Sequence, residues 1–227
     1  MKAMVIERFG GPDELRLSEQ PKPVPADNEV LIKVMCAGVN PVDWKIEEGL
    51  LRERIPHDLP LIPGWDAAGI VEAAGVQVTE FHEADAVYTY CRKPRVQHGA
   101  YAEYVTMTAS AVAPKPESLS FQQAAGIPLA GLTAWQSLFD HAKLARGQVV
   151  LIHAGAGGVG SHAIQFAKQV GATVLTTASP NHHGYVQKLG ADAVIDYNNF
   201  DFVSTVREEY PEGIDVVYDT VGGETQG

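Results

Sequence analysis

The chain has 227 residues, of which 45% are hydrophobic and 20% charged, and a formal net charge of −11. That length holds one large domain or two small ones, and the composition is that of an ordinary globular fold. The acidic balance argues against nucleic acid or an anionic membrane as partner, and no run approaches the ~18 uninterrupted apolar residues of a membrane span. Two cysteines, Cys36 and Cys91, cannot supply a disulfide framework or a four-thiolate zinc site, and they fit a reducing compartment. The amino terminus reaches Glu7 and Arg8 without the apolar core of a signal peptide, so a cytoplasmic location is expected.

From Met1 to about Pro116 the chain reads as short strands separated by Gly and Pro. They are expected at Lys2–Glu7, Leu15–Ser18, Glu29–Met35, Ala67–Glu72, Ala86–Tyr90 and Tyr101–Met107, forming a compact, mostly antiparallel β-barrel. Pro21, Pro23 and Pro25 exclude a central strand and mark a surface connection. Arg92-Lys93-Pro94-Arg95, the one basic cluster, reads as an exposed loop between two strands. The segment Ala113–Ser118, with Pro114 and Pro116, reads as a boundary, dividing the chain into domains over residues 1–118 and 119–227. A helical pattern then covers Ser120–Lys143, interrupted at Gly126-Ile127-Pro128.

Beyond it, strands at Val149–His153, Thr173–Thr177, Ala193–Ile195 and Asp215–Asp219 alternate with helical stretches. In Gly158–Val170, the residues Val159, Ala163, Phe166, Ala167 and Val170 fall on one helix face, and Gly171 supplies a C-cap. This alternation predicts an α/β fold with a parallel, doubly wound sheet and right-handed crossovers. Such dinucleotide folds have six strands in the order 3-2-1-4-5-6. Four are visible before Gly227, so a C-terminally truncated chain or a fragment is expected.

The most informative words are Val149-Val150-Leu151-Ile152-His153-Ala154-Gly155-Ala156-Gly157-Gly158-Val159-Gly160. Gly155, Gly157 and Gly160 fit the G-x-G-x-x-G spacing. One glycine makes a tight turn, one lets the backbone approach a pyrophosphate, and one lets helix and strand pack closely. The helix that follows starts with unpaired N–H groups and the positive end of its dipole, both aimed at phosphate. A chain with 22 glycines can produce this spacing by chance. The strand before and the helix after make dinucleotide binding the expected role for Gly155, Gly157, Gly158, Val159 and Gly160.

A β-barrel followed by this fold resembles the medium-chain dehydrogenase/reductase superfamily, over essentially the whole chain. The barrel resembles its GroES-like domain and the second half its Rossmann domain. Gly38-Val39-Asn40-Pro41-Val42-Asp43-Trp44-Lys45 and Val216-Val217-Tyr218-Asp219-Thr220-Val221-Gly222-Gly223 are similar to the zinc-independent branch, the ζ-crystallin-like quinone oxidoreductases and alkenal or oxoene reductases. Zinc relatives carry a cysteine where this chain has Asn40, a His-Glu pair at Trp65-Asp66, and their third ligand aligns with Ala130. Asn and Ala cannot replace those ligands, so no metal is expected. His82, His98, His141 and His153 are too irregularly spaced for another metal site and read as scattered surface or core residues.

The resemblance implies a nicotinamide cofactor. Cofactor contacts are expected at Asn40, Pro41, Thr133, Ser179, His182, Tyr197 and Val221 besides the glycine turn. NAD sites place an acid at the end of the second strand, and Thr176–His183 contains none, which favours NADP(H). The resembled enzymes often carry a lysine near His182; the histidine here weakens capture of a 2′-phosphate near neutral pH. His182 and His183 as plain loop residues is the competing reading.

Without a metal, hydride must go to an acceptor that is already electron-poor, such as a quinone or an α,β-unsaturated carbonyl. The catalytic candidates are Lys45, as proton donor or oxyanion stabiliser, and Asn40 beside the nicotinamide ribose. Lysine rather than tyrosine at this position tilts the resemblance toward enone reduction; an exposed lysine on a short helix is the alternative, and a pKa lowered by burial would separate the two. Trp65 lines the acceptor pocket or, on the plainer reading, packs in the core. A dinucleotide-binding protein without turnover and an acyl-thioester enoyl reductase are the rival functions, and the resemblance admits a homodimer.

Overall fold

The computed structural model describes residues 1–223, which form two compact units, Met1–Leu129 and the residues from Ala130 on. In the first, β1 (Lys2–Val5) pairs antiparallel with β2 (Arg16–Glu19), and the prolines after β2 lie in irregular backbone as expected. Then come β3 (Glu29–Gly38), α1 (Pro41–Glu47), β4 (His57–Ile62), β5 (Asp66–Ala74), β6 (Ala86–Tyr90), β7 (Val96–His98), β8 (Tyr104–Thr108) and β9 (Val112–Pro114). The main sheet is antiparallel in the order β8-β3-β5-β6-β9. Register shifts at Leu31/Ile32 and Val34/Cys36 bend β3 across it. Its inward residues, among them Val30, Ile32, Val71, Val87 and Val105, form the core of this unit.

Three strands were not legible: β4, β7 and β9. β4 pairs parallel with the three-residue β7 through a shifted register, and β9 overlaps the start of the proline segment read as a boundary. Val112–Pro114 pairs with β6, and the Lys115 N–H donates to the Ala86 carbonyl. The first unit therefore continues past Ser118 to Leu129. Its last helix, α2 (Phe121–Ala125), buries Ala124 and Ala125 against Ala68 of β5. Ser120 caps that helix by accepting from the Gln123 N–H. The predicted strand over Tyr101–Met107 starts later, at Tyr104, which leaves Tyr101 free for a polar contact described below.

The unit boundary falls in the first turn of α3 (Pro128–Trp135), after the interruption expected at Gly126–Pro128. The second unit continues with β10 (Val149–Ile152), α4 (Gly158–Val170), β11 (Thr173–Thr177), α5 (His183–Leu189), β12 (Ala193–Ile195), α6 (Phe202–Glu209) and β13 (Val216–Tyr218). Its sheet is parallel in the order β12-β11-β10-β13, which is 3-2-1-4 in terms of this sheet's own strands. β10 is hydrophobic on both faces because both are covered. Val150 and Ile152 join Ala163, Ile164 and Ala167 of α4, whereas Leu151 joins Leu175, Ile195 and Val206. α4 has the bounds its periodicity predicts, and Gly171 closes it at φ 88°. Among the described residues no helix is long and apolar enough to cross a membrane.

Candidate functional site

The turn from β10 to α4 shows why its glycines sit where they do. A Cβ on Gly160 would run into the Ala154 carbonyl oxygen and the Gly155 Cα, and one on Gly155 into the Thr176 hydroxyl. Both residues are buried, so these two glycines serve close packing inside the protein. Gly157 differs: it is exposed, and a Cβ there would meet only the Ala154 oxygen at 3.2 Å. The space it leaves open faces outward. The first i→i−4 bond of α4 runs from the Ser161 N–H to the Gly157 carbonyl, so the N–H groups of Gly158, Val159 and Gly160 precede the helical ladder. N–H groups so placed can cradle an anion.

Beside it lies a pocket of about 680 Å³, lined by Gly157, the ends of β10 and β11, and the chain around Tyr197–Phe202. Five expected cofactor residues line it: Gly157, Ser179, His182, Tyr197 and Val221. Ser179 Oγ and His182 Nδ1 are 2.9 Å apart at its rim. Thr133 does not line it; half-buried on α3, its carbonyl accepts from the Tyr218 hydroxyl at 3.4 Å. The lining also contains an acid, Asp201, but its carboxylate caps α6, accepting from the N–H groups of Val203 and Ser204 and the Ser204 hydroxyl. Those bonds hold its pKa below the usual value.

Sequence reasoning missed His153, Thr177, Phe200 and Phe202 in this lining. His153 is 2% exposed. The signal for it was a polar residue closing the apolar run Val149–Ile152, at a depth where β10 is otherwise hydrophobic.

In the first unit, Asn40 begins α1 and is bound to two buried carboxyl groups. Its N–H donates to Asp43 Oδ2 at 2.8 Å and its Nδ2 donates to Asp66 Oδ2 at 2.9 Å. The Tyr101 hydroxyl donates to Asp43 Oδ2 at 2.9 Å, and the Leu129 N–H to Asp66 Oδ1 at 2.9 Å. Burial raises both acids, Asp66 to about 6, against the lowering effect of these hydrogen bonds. Trp65 takes the packing role: it is buried with Ile6, Ile46, Leu61 and Val96. Pro41 and Lys45 lie on the exposed side of α1, with Lys45 Nζ 5.6 Å from the centre of the Trp44 ring, so burial does not mark Lys45 out.

Residues 26–117 match the family described as "Alcohol dehydrogenase GroES-like domain", and residues 158–226 the family described as "Zinc-binding dehydrogenase". A quinone oxidoreductase structure from Coxiella burnetii superimposes with a TM-score of 0.87 at 40% identity, over 99% of this chain and 69% of that one. The chain belongs to the quinone oxidoreductase branch of the medium-chain dehydrogenase/reductase superfamily. A second member, a mycobacterial structure complexed with NADPH, gives a TM-score of 0.88 at 37% identity, over 100% of this chain and 69% of that one. The 2-methylene-furan-3-one reductase of Solanum lycopersicum is 40% identical over 98% of this chain, which spans 57% of that relative's length.

The zinc in the second family's description does not fit the donors at the superfamily's ligand positions here. Asn40 offers an amide and Trp65 no ligand atom, and both oxygens of Asp66 are engaged by protein donors. The dinucleotide of this superfamily does fit. The Gly157 cradle would hold the pyrophosphate, and the apolar walls of Tyr197, Phe200 and Phe202 suit an adenine ring.

Proposed function

We propose that the whole protein is an NADPH-dependent oxidoreductase that reduces a quinone or an α,β-unsaturated carbonyl without zinc. The observation that carries this reading is the β10–α4 cradle opening into a pocket whose β11 end offers Ser179 and His182 instead of an acid. NADPH, when bound, supplies the hydride. Gly157 and the first turn of α4 hold the pyrophosphate, while Ser179, His182 and Tyr197 receive the 2′-phosphate. Asn40, fixed by Asp43 and Asp66, is the proposed partner of the nicotinamide ribose. Lys45 Nζ gives a proton to the reduced acceptor or steadies the oxygen on which charge develops.

The relatives' printed names support the acceptor class, since one is a quinone oxidoreductase and another reduces a furanone bearing an exocyclic alkene. A cytoplasmic homodimer acting on a small molecule completes the proposal. The test is NADPH oxidation across a panel of quinones and enones. Turnover with either class is expected, and tight NADPH binding with no turnover on any acceptor would favour the silent binder. Lys45→Ala should slow the chemical step at least tenfold, with NADPH affinity close to unchanged. Unaltered single-turnover rates would remove Lys45 from the mechanism.

A further inference from the structure

The three cations of Arg92-Lys93-Pro94-Arg95 are met differently by the first unit. Lys93 Nζ donates to Thr106 Oγ1 at 3.0 Å and lies 3.8 Å from Glu29 Oε1. Arg95 Nη1 donates to Asp58 Oδ1 at 2.8 Å. Arg92 is exposed and has neither a hydrogen bond nor a carboxylate partner among the described residues; its guanidinium lies 5.8 Å from the centre of the Trp65 ring. An aromatic face holds a guanidinium without engaging its N–H groups, so the donors of Arg92 stay available. The chain on either side is fixed. The Cys91 N–H donates to the Trp65 carbonyl, and Lys93 is tied through its side chain.

Strand register puts this free cation at the end of the sheet that carries Asn40. Asp66, the first residue of β5, pairs with Gly38 at the end of β3 and with Tyr90 at the end of β6. Gly38, Asp66 and Tyr90 form one row across three strands, roughly 10 Å wide at the usual interstrand spacing. Asn40 follows shortly after one end of that row and Arg92 after the other. Trp65, next to Asp66, meets Tyr90 edge-on at 6.0 Å and Arg92 over its ring. Both oxygens of Asp66 are already engaged, by the Asn40 amide and the Leu129 N–H. Resting on the reductase reading above, with the acceptor held beside Asn40, we propose that Arg92 is a specificity-determining residue that pairs with a carboxylate carried by the acceptor. The preferred acceptors are then enones or quinones with an anionic side chain. A guanidinium and a carboxylate match as planar forks, meeting through two parallel N–H···O bonds. In a chain of net charge −11 an anionic acceptor is not drawn in by the overall field, so it needs a local cation.

The test compares an enone bearing a carboxylate several methylenes from the reacting alkene with the matching primary amide. The two have similar size and reactivity and differ in charge. With NADPH in excess, the whole protein should reduce the acid with a KM about five- to tenfold below that of the amide, at similar kcat. Arg92→Gln should bring the two KM values together by raising that of the acid and leaving that of the amide unchanged. Arg92→Lys keeps the charge without the fork and should recover part of the difference. Added salt should erode the preference of the wild type and have no such effect in Arg92→Gln. Equal KM values in the wild type, an acid preference kept in Arg92→Gln, or an equal rise for acid and amide, as lost packing on Trp65 would give, would each overturn the proposal. Reduction of neither acceptor would instead overturn the reductase reading. Calorimetric titration of the saturated keto acid and its amide then decides the Arg92 assignment without turnover: tighter binding of the acid, abolished in Arg92→Gln, supports it, and equal binding overturns it.

Discussion

The two units treat buried polar groups in opposite ways. In the first, Asn40 spends its donors on Asp43 and Asp66, and Tyr101 and Leu129 add two more. Among the described residues Asp43 Oδ1 and Glu47 Oε1 still lack hydrogen-bond partners, but burial raises the pKa of both acids, and a carboxyl can answer an unmet oxygen by holding a proton. In the second unit the buried side-chain nitrogen without a partner among the described residues is Nε2 of His153, while at the start of α4, beside the pocket, helix N–H groups precede their ladder. An N–H cannot be neutralised from within and waits for an acceptor. Polar groups met by protein thus mark architecture here, and those left facing a pocket mark where a ligand goes.

The sharpest way to break that contrast is within the glycine turn. Gly160→Ala should cost about 2–3 kcal/mol of stability, because its Cβ would meet backbone atoms that cannot step aside. Gly157→Ala, with φ −75° and an open outer face, should melt within about 0.5 kcal/mol of the wild type yet bind NADPH at least tenfold more weakly. Urea denaturation and fluorescence titration of both variants decide it. Equal stability losses, or undiminished binding in Gly157→Ala, would refute the division between packing glycine and phosphate glycine.

That division also measures what the sequence could disclose. α4 was legible to the residue because its apolar period, its glycine start and Gly171 all agree. The β12-β11-β10-β13 order followed from the alternation of strands and helices. β4 was hidden because Pro60 interrupts it and its partner β7 has three residues. The expected boundary at Ser118 and the unit division after Leu129 differ because Pro114 and Pro116 punctuate the chain locally, while the contacts that extend the compact unit, Ala124 and Ala125 on Ala68 and Leu129 on Asp66, are distant in sequence. His153 was set aside with other histidines, since spacing carries no information about which ring nitrogen is left unpaired.

The barrel network offers a second test, of intermediate size. Asp66 should titrate near pH 6 by carboxyl ¹³C NMR. A carboxyl whose folded pKa is raised binds its proton more tightly folded than unfolded, so its stabilising contribution is complete below about pH 4 and is lost as pH rises through about 6. The two pKa values set this at about 3 kcal/mol. Asn40→Ala removes a donor to the charged form and should push the midpoint higher still. A midpoint near 4 would mean that Asp66 is solvated, and the rigid presentation of Asn40 would lose its basis.

The smallest effect separates strain kept for function from strain that is merely local. Ala154, inside the glycine turn, has φ 52°, and Ala84, in the loop before β6, has φ 74°. A left-handed alanine costs about 1–2 kcal/mol, and glycine gives back about 0.4–1 kcal/mol in unfolded-chain entropy. Both Ala154→Gly and Ala84→Gly should therefore stabilise by about 0.5 kcal/mol, read as a small rise in melting temperature. They should part on binding. Ala154 lines the pocket and its N–H donates to the Thr177 hydroxyl, another lining residue, so a looser residue there should weaken 2′,5′-ADP binding measurably, and Ala84→Gly should leave it alone. If both variants bind alike, the strain at Ala154 does nothing for the pocket and the turn is shaped by Gly155 and Gly160 alone.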